Sequence, residues 1–279
     1  MREYALGIYE KALPGDFSWE EKLTAAKAAG FDYVEISIDE TDAKLERLEW
    51  GAQERANLVQ LMSDIGMPIR SMCLSGHRKY PLGSSDPAVE ARGMEIMEKA
   101  LGLAADIGIR TIQLAGYDVY YEDASIETDR RFRANLKKAV ALAAKSGIAM
   151  GFETMETEYM NTVEKAMAFV AEIGSPYLQV YPDSGNITNA AVQYGTSVSD
   201  DLRTGAGHLI SVHLKEALPG RFREVPFGTG HVDFEQIIHT AWELGVRRYV
   251  AEFWYTGNAG WKEDVAAARK MMGDILNRQ

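Results

Sequence analysis

Residues 146–157 read SGIAMGFETMET. A helix-forming stretch ends before this segment, and Gly147 supplies the left-handed stop that such a helix favours. A short apolar run follows from Ile148, and a carboxylate, Glu153, stands at its far end. The same order recurs along the chain. Strands are expected from Tyr4 to Glu10 and from Phe31, Ile69, Thr111, Ile148, Tyr177, Leu209 and Tyr249 onward. Helices are expected from Trp19 with Ser18 as N-cap, from about Leu45 to Ile65 as one long element, and from Pro87 to Ile107. Further helices should end at Gly147, run from about Asn161 to Ile173, form weakly near Asp200, run from Phe234 to Leu244, and begin at Trp261. Gly30, Gly66, Gly108, Gly147, Gly174 and Gly245 each separate a helix from the next strand. Strict βα alternation implies a parallel sheet with helical crossovers. Eight such units in 279 residues fit an α/β fold, a closed (β/α)8 TIM barrel, better than an open doubly wound sheet. No GxGxxG follows the first strand, and no linker divides the chain, so residues 1–279 read as a single domain.

Bulk composition narrows the function. The net charge is −11, the wrong sign for a nucleic-acid partner, which needs clustered Lys and Arg. A lone cysteine, Cys73 in MCLS, excludes an intrachain disulfide and a Cys-based zinc site, and reads as a small buried hydrophobe. The opening MREYALGIYE is charged at once, and no apolar run approaches the ~20 residues of a membrane span. The expectation is therefore a soluble protein with no membrane partner, in a reducing compartment, the cytoplasm. The 12 methionines fall mainly in helical stretches and read as core filler.

In a barrel the chemistry gathers at the C-terminal ends of the strands. Four polar residues interrupt or close successive apolar runs there: Glu153 in GFETME, Asp183 in VYPDSGN, His213 in SVHLKE and Glu252 in VAEFW. Each falls one βα unit after the last, so all four should meet at one mouth. Three carboxylates in an apolar interior repel one another and lose hydration unless a cation joins them. Two Glu, one Asp and one His form a hard, oxygen-rich set. It suits one divalent metal, Mn2+ first, with Mg2+, Co2+ or Zn2+ as alternatives. Around this group, His77 and Arg78 follow the third strand, and Glu156 lies three residues beyond Glu153. Asn186 follows Asp183, and Lys215 shares the inward face of His213; all five are candidate substrate contacts. Arg221, Gly228 and Gly230 lie in the long loop after the seventh strand, where barrels often bind phosphate. Glu10 and Glu35 end the first two strands and are weaker candidates for the mouth.

Long segments carry a resemblance: GIYEKALP at Gly7, SMCLSGHRKYPLGS at Ser71, GIRTIQLAGYDVYY at Gly108, YPDSGN at Tyr181 and VPFGTGHVDF at Val225. Together they make the whole chain resemble the sugar-phosphate 3-epimerases of the xylose-isomerase-like barrel superfamily, which act in ascorbate catabolism. The resemblance implies an isomerase that converts a small ketose phosphate, L-ribulose 5-phosphate or L-xylulose 5-phosphate, by proton transfer at C3. It also implies that Glu153, Asp183, His213 and Glu252 hold the metal, that Glu153 and Glu252 double as acid and base, and that the chain self-associates as a homo-oligomer. The free-sugar branch of the superfamily carries a His where this chain has Asn186 and a Glu where it has Tyr159. Both departures favour a phosphorylated substrate. Three other activities fit the same barrel. A hexulose-6-phosphate or other ketose isomerase would use the same metal. An apurinic endonuclease would need more histidines than the five present. A non-catalytic binding barrel would show no turnover.

Overall fold

Apolar runs too short for helices and buried on both faces become the staves of a cylinder. They are β1 (Ala5–Tyr9), β2 (Tyr33–Ile38), β3 (Ile69–Leu74), β4 (Thr111–Ala115), β5 (Ala149–Glu153), β6 (Leu178–Tyr181), β7 (Val212–Leu214) and β8 (Arg248–Ala251). This computed structural model describes residues 3–279. Met1 and Arg2, the start of the stretch read for a leader, lie outside the described residues. The strands are parallel in the order β6-β5-β4-β3-β2-β1-β8-β7. Isolated parallel bridges Val180↔Leu209 and Asp183↔His213 join the two ends and close the barrel. The expected eight-stranded TIM barrel is therefore present. Gly151 serves the closure: a Cβ there would lie 2.9 Å from both Ile210 Cδ1 and Tyr181 Cβ.

The outer layer comprises α1 (Trp19–Ala28), α2 (Asp42–Leu45), α3 (Ala52–Ile65), α4 (Pro87–Ile107), α5 (Ile126–Ser146), α6 (Val163–Ile173), α7 (Ser184–Tyr194), α8 (Val198–Thr204), α9 (Phe234–Glu243) and α10 (Trp261–Leu276). Ser18 caps α1 in a capping box with Glu21, and all six separating glycines take positive φ, as their positions require. Two expectations fail. The long helix from Leu45 breaks into α2, a 3-10 turn and α3, because Trp50 and Gly51 are extended and the Glu54 carboxylate caps α3 from the Gly51 amide at 2.8 Å. Helix α7 was not expected at all. Its sequence, SGNITNAAVQY, has poor helix formers, but Asp183 caps it and its first seven residues are buried, so packing overrides propensity.

Glu10 does not face the mouth. It lies fully buried behind β1, bonded by Arg47 Nη1 at 2.6 Å and by Lys44, with Lys22 Nζ at 3.6 Å. Burial pushes its carboxyl up, but Arg47, Lys44 and Lys22 outweigh burial and hold it down at about 2. Its folded value lies below its ordinary 4.5, so the ionised form stabilises the fold fully above that ordinary value. The contribution is lost as pH falls toward 2. Glu10→Ala leaves three cations without their partner and is expected to cost about 3–5 kcal/mol in urea denaturation at neutral pH. The gap from wild type should narrow in acid.

Candidate metal centre and active site

Glu153 ends β5, Asp183 is the N-cap of α7 just past β6, His213 is central in β7, and Glu252 directly follows β8. All four are buried, and each offers one ligand atom within 4.8 Å of the others. His213 Nδ1 lies 2.8 Å from Glu252 Oε2 and 3.9 Å from Glu153 Oε1. Asp183 Oδ1 accepts from the Asn186 amide at 2.7 Å and from Lys215 Nζ at 3.0 Å. Its other oxygen, Oδ2, is buried with no hydrogen-bond partner. A buried carboxylate oxygen left without a donor is costly, and a cation at the common centre would satisfy it. The donor set therefore fits a divalent metal.

Electrostatics separate the two glutamates. Burial first, and then the Glu252 charge, raise Glu153 to about 7. Burial also raises Glu252, but His213 and Lys215 outweigh it and hold Glu252 well below the usual carboxylate range. Burial favours a neutral His213, yet Glu35 and Glu252, one on each ring nitrogen, hold it well above its usual value. Burial lowers Lys215 as well, and Asp183, Glu252 and Glu153 more than offset that. Asp183 is pushed well up, mainly by burial.

Glu35, a weak candidate from sequence, proves central. It is fully buried and accepts from His213 Nε2 at 2.6 Å, from Ser71 Oγ at 2.7 Å and from the Tyr181 hydroxyl at 3.0 Å. With Nε2 committed to Glu35, Nδ1 is the ring nitrogen that faces the carboxylates. Glu35 is a positioning residue. Glu35→Gln is expected to weaken metal binding by about 10- to 100-fold, with kcat recovering at saturating metal. Unchanged affinity by metal titration would remove this role. Gln113, central in β4, places Nε2 3.0 Å from His213 Nδ1. Sequence reading passed over it, although a polar residue in the middle of TIQLA was the available signal.

Glu153 and Glu252 line a chamber of about 50 Å3 whose walls also include Arg78, Glu156, Asn186 and Lys215. Asn186 Oδ1 accepts from Lys215 Nζ at 2.9 Å, and Glu156 accepts from the Tyr120 hydroxyl at 3.0 Å. Arg78 lies 3.9 Å from Glu156, stacks on Tyr120 with its guanidinium carbon 4.9 Å from the ring centre, and buries Nε without a partner. Sequence reading did not single out Lys11, Tyr9, Phe222, Arg223 or Trp254, which also line the chamber. Cys73 lines it too, and burial, with Glu153 next, keeps its thiol protonated. Phe222 and Arg223, from the loop after β7, form part of the chamber's wall.

Four expected substrate contacts lie elsewhere. His77 is buried against α4, bonded to the Gly93 carbonyl at 3.0 Å, and burial lowers it to about 4. Arg221 is exposed and bonds the backbone carbonyls of Arg223 and Glu224. The Gly228 amide is already given to Glu216 Oε2 at 2.9 Å, so it cannot cradle an anion. At Gly230 a Cβ would meet the Ala217 carbonyl oxygen at 2.1 Å, so that glycine is there for close packing.

The fold and the buried acid–imidazole group define a TIM barrel with a candidate metal centre at the C-terminal ends of its strands. The profile of the xylose isomerase-like TIM-barrel family matches residues 23–271, and the chain belongs to that family. It is 45% identical over 269 residues to the L-ribulose-5-phosphate 3-epimerase UlaE of Escherichia coli O139:H28, covering 96% of this chain and 93% of the relative. The UlaE protein of Salmonella paratyphi A gives the same identity and coverage. Together these relatives mark the chain as an isomerase of the sugar-epimerase kind. In fold it is similar to the D-allulose 3-epimerase of Methylomonas sp., with a TM-score of 0.79 and 21% identity over 100% of this chain and 98% of that one. No helix among the described residues is long and apolar enough to cross a membrane.

Proposed function

We propose that the chain is a metal-dependent 3-epimerase that interconverts L-ribulose 5-phosphate and L-xylulose 5-phosphate by moving the C3 proton through an enediolate. The observation that carries this reading is the pairing of Glu153 and Glu252. Both line one chamber, on staves separated by β6 and β7, and their environments push their proton affinities apart. Such a pair suits acid and base roles. The 45% identity to proteins named for L-ribulose 5-phosphate supports the substrate.

Epimerisation needs the acidic C3 proton taken from one face and returned to the other. Glu153 and Glu252 perform these transfers, one as base and one as acid. Glu153, Asp183, His213 and Glu252 would hold the cation, Mn2+ before Mg2+, Co2+ or Zn2+, which would supply Lewis-acid stabilisation of the charge that develops on the sugar oxygens. Lys215, fixed by Asp183 and Asn186, donates to a substrate oxygen, and Asn186 and Glu156 hold hydroxyls. Arg78, Arg223 and Lys11 form the cationic side of the chamber and hold the phosphate. Tyr9 and Trp254 exclude water from the reacting face. One domain over residues 1–279, a cytoplasmic location and self-association through the exposed Tyr121 and Ile126 belong to the same reading.

The test is incubation of Mn2+-loaded protein with L-ribulose 5-phosphate in D2O, followed by NMR. Deuterium at C3 with L-xylulose 5-phosphate as product is the expected result. Deuterium at C1 with an aldose product would make the protein an aldose–ketose isomerase instead.

A further inference from the structure

At the opposite end of the barrel, below the N-terminal ends of the strands, lies a second cavity of about 540 Å3. That size is within the roughly 300–1,000 Å3 of small-molecule sites. Its rim carries three arginines: Arg70 in β3, Arg110 just before β4, and Arg248 at the start of β8. Tyr33, Ser71 and Ser211 line the space between them, and no Asp or Glu is among the described lining residues.

Three observations point to a ligand. First, the chain carries a net charge of −11, yet three arginines line this one cavity without a carboxylate among its described walls. Second, the arginines are exposed and uncommitted. The side chains of Arg70 and Arg248 make no hydrogen bond or ion pair among the described residues, and Arg110 uses Nη1 only on the Ile109 carbonyl at 2.9 Å. Elsewhere the arginines are mostly paired with acids, as Arg55 is with Asp106 and Arg133 with Asp129. Third, the hydroxyl protons of the inner wall are already given to protein acceptors. Tyr33 donates to the Tyr249 carbonyl at 2.9 Å, Ser211 to the Arg248 carbonyl at 3.0 Å, and Ser71 to Glu35 at 2.7 Å. The uncommitted cationic donors in the cavity are therefore the guanidinium N–H groups, which match the oxygens of a phosphoryl group in pairs. A concave site with charge of one sign also focuses its field on a small anion.

We propose that this basal cavity binds a small phosphorylated metabolite, or inorganic phosphate, at a site separate from the catalytic mouth. Tyr181 and Glu35 lie between the two, with Tyr181 lining the basal cavity and bonding Glu35 at 3.0 Å. The inference does not depend on the identity of the sugar substrate.

The test is calorimetric titration of the Mg2+-loaded protein with inorganic phosphate at fixed ionic strength. Two phosphates per chain are expected for the wild type. Arg70→Gln/Arg248→Gln should remove or weaken one of them at least 10-fold while leaving epimerase kcat/KM within twofold. Arg78→Gln should affect only the other. Unchanged stoichiometry and affinity in the double variant, or loss of all phosphate binding in Arg78→Gln, overturns the basal site. A selenate soak of wild-type crystals gives an answer that needs no variant. An anomalous peak among Arg70, Arg110 and Arg248 supports the proposal, and peaks confined to the mouth refute it.

Discussion

Glu153→Gln and Glu252→Gln are each expected to lower kcat for C3 epimerisation by about a thousandfold or more, the upper part of the range for loss of a general acid or base. The amide keeps the shape and one ligand oxygen but can neither take nor return a proton at neutral pH. Glu153, held at about 7 by burial and by Glu252 when no cation is bound, is the group whose protonation is most easily changed. Glu252, kept ionised by His213 and Lys215, is its complement. The loss should persist when metal content, measured by atomic absorption, equals that of the wild type. NMR of the C3 position in D2O is the deciding measurement. If both variants still exchange that proton at near wild-type rates, neither glutamate carries it and the assignment is wrong.

Removal of the divalent metal should abolish turnover and lower thermal stability together. Without a cation, Asp183 Oδ2 has no partner and three buried carboxylates share one space with only His213 and Lys215 to offset them. A ligand that binds only the folded state stabilises it by about 2.7 kcal/mol at a hundredfold excess over Kd. For a chain of this size that corresponds to an increase of about 5 °C in Tm. Binding also requires a deprotonated imidazole nitrogen. His213 is held well above its usual value by Glu35 and Glu252, so apparent metal affinity should fall as pH is lowered. Melting curves in EDTA and in Mn2+ provide the check. Coincident curves with full activity in EDTA would show that the four side chains do not form a metal centre.

The barrel was legible because its signal is local and repeated. Six of the eight apolar runs are preceded by a glycine that takes positive φ, as Gly66, Gly108 and Gly147 do, and the candidate site residues stand where such runs are interrupted or end. Helix α7 was hidden because Ser184, Gly185 and Asn186 disfavour helix. Its stability comes from the Asp183 cap and from burial, both of which depend on distant parts of the chain. The arginines illustrate the same limit. From sequence Arg221 and Arg223 look alike, two residues apart in one loop, yet only Arg223 reaches the chamber, while Arg221 is tied to its own loop's carbonyls.

The amino-acid order by itself determined the eight βα units, the end of the barrel at which the chemistry gathers, and the Glu153–Asp183–His213–Glu252 group, because period, punctuation and residue type are all read locally. Only the tertiary structure decided that Glu35 orients His213, that Lys11 and Arg223 rather than Gly228 and Gly230 face the chamber, and that three arginines share a cavity at the other end. Those facts depend on which way a side chain points and on which donors are already engaged, and both are set by neighbours far away along the chain.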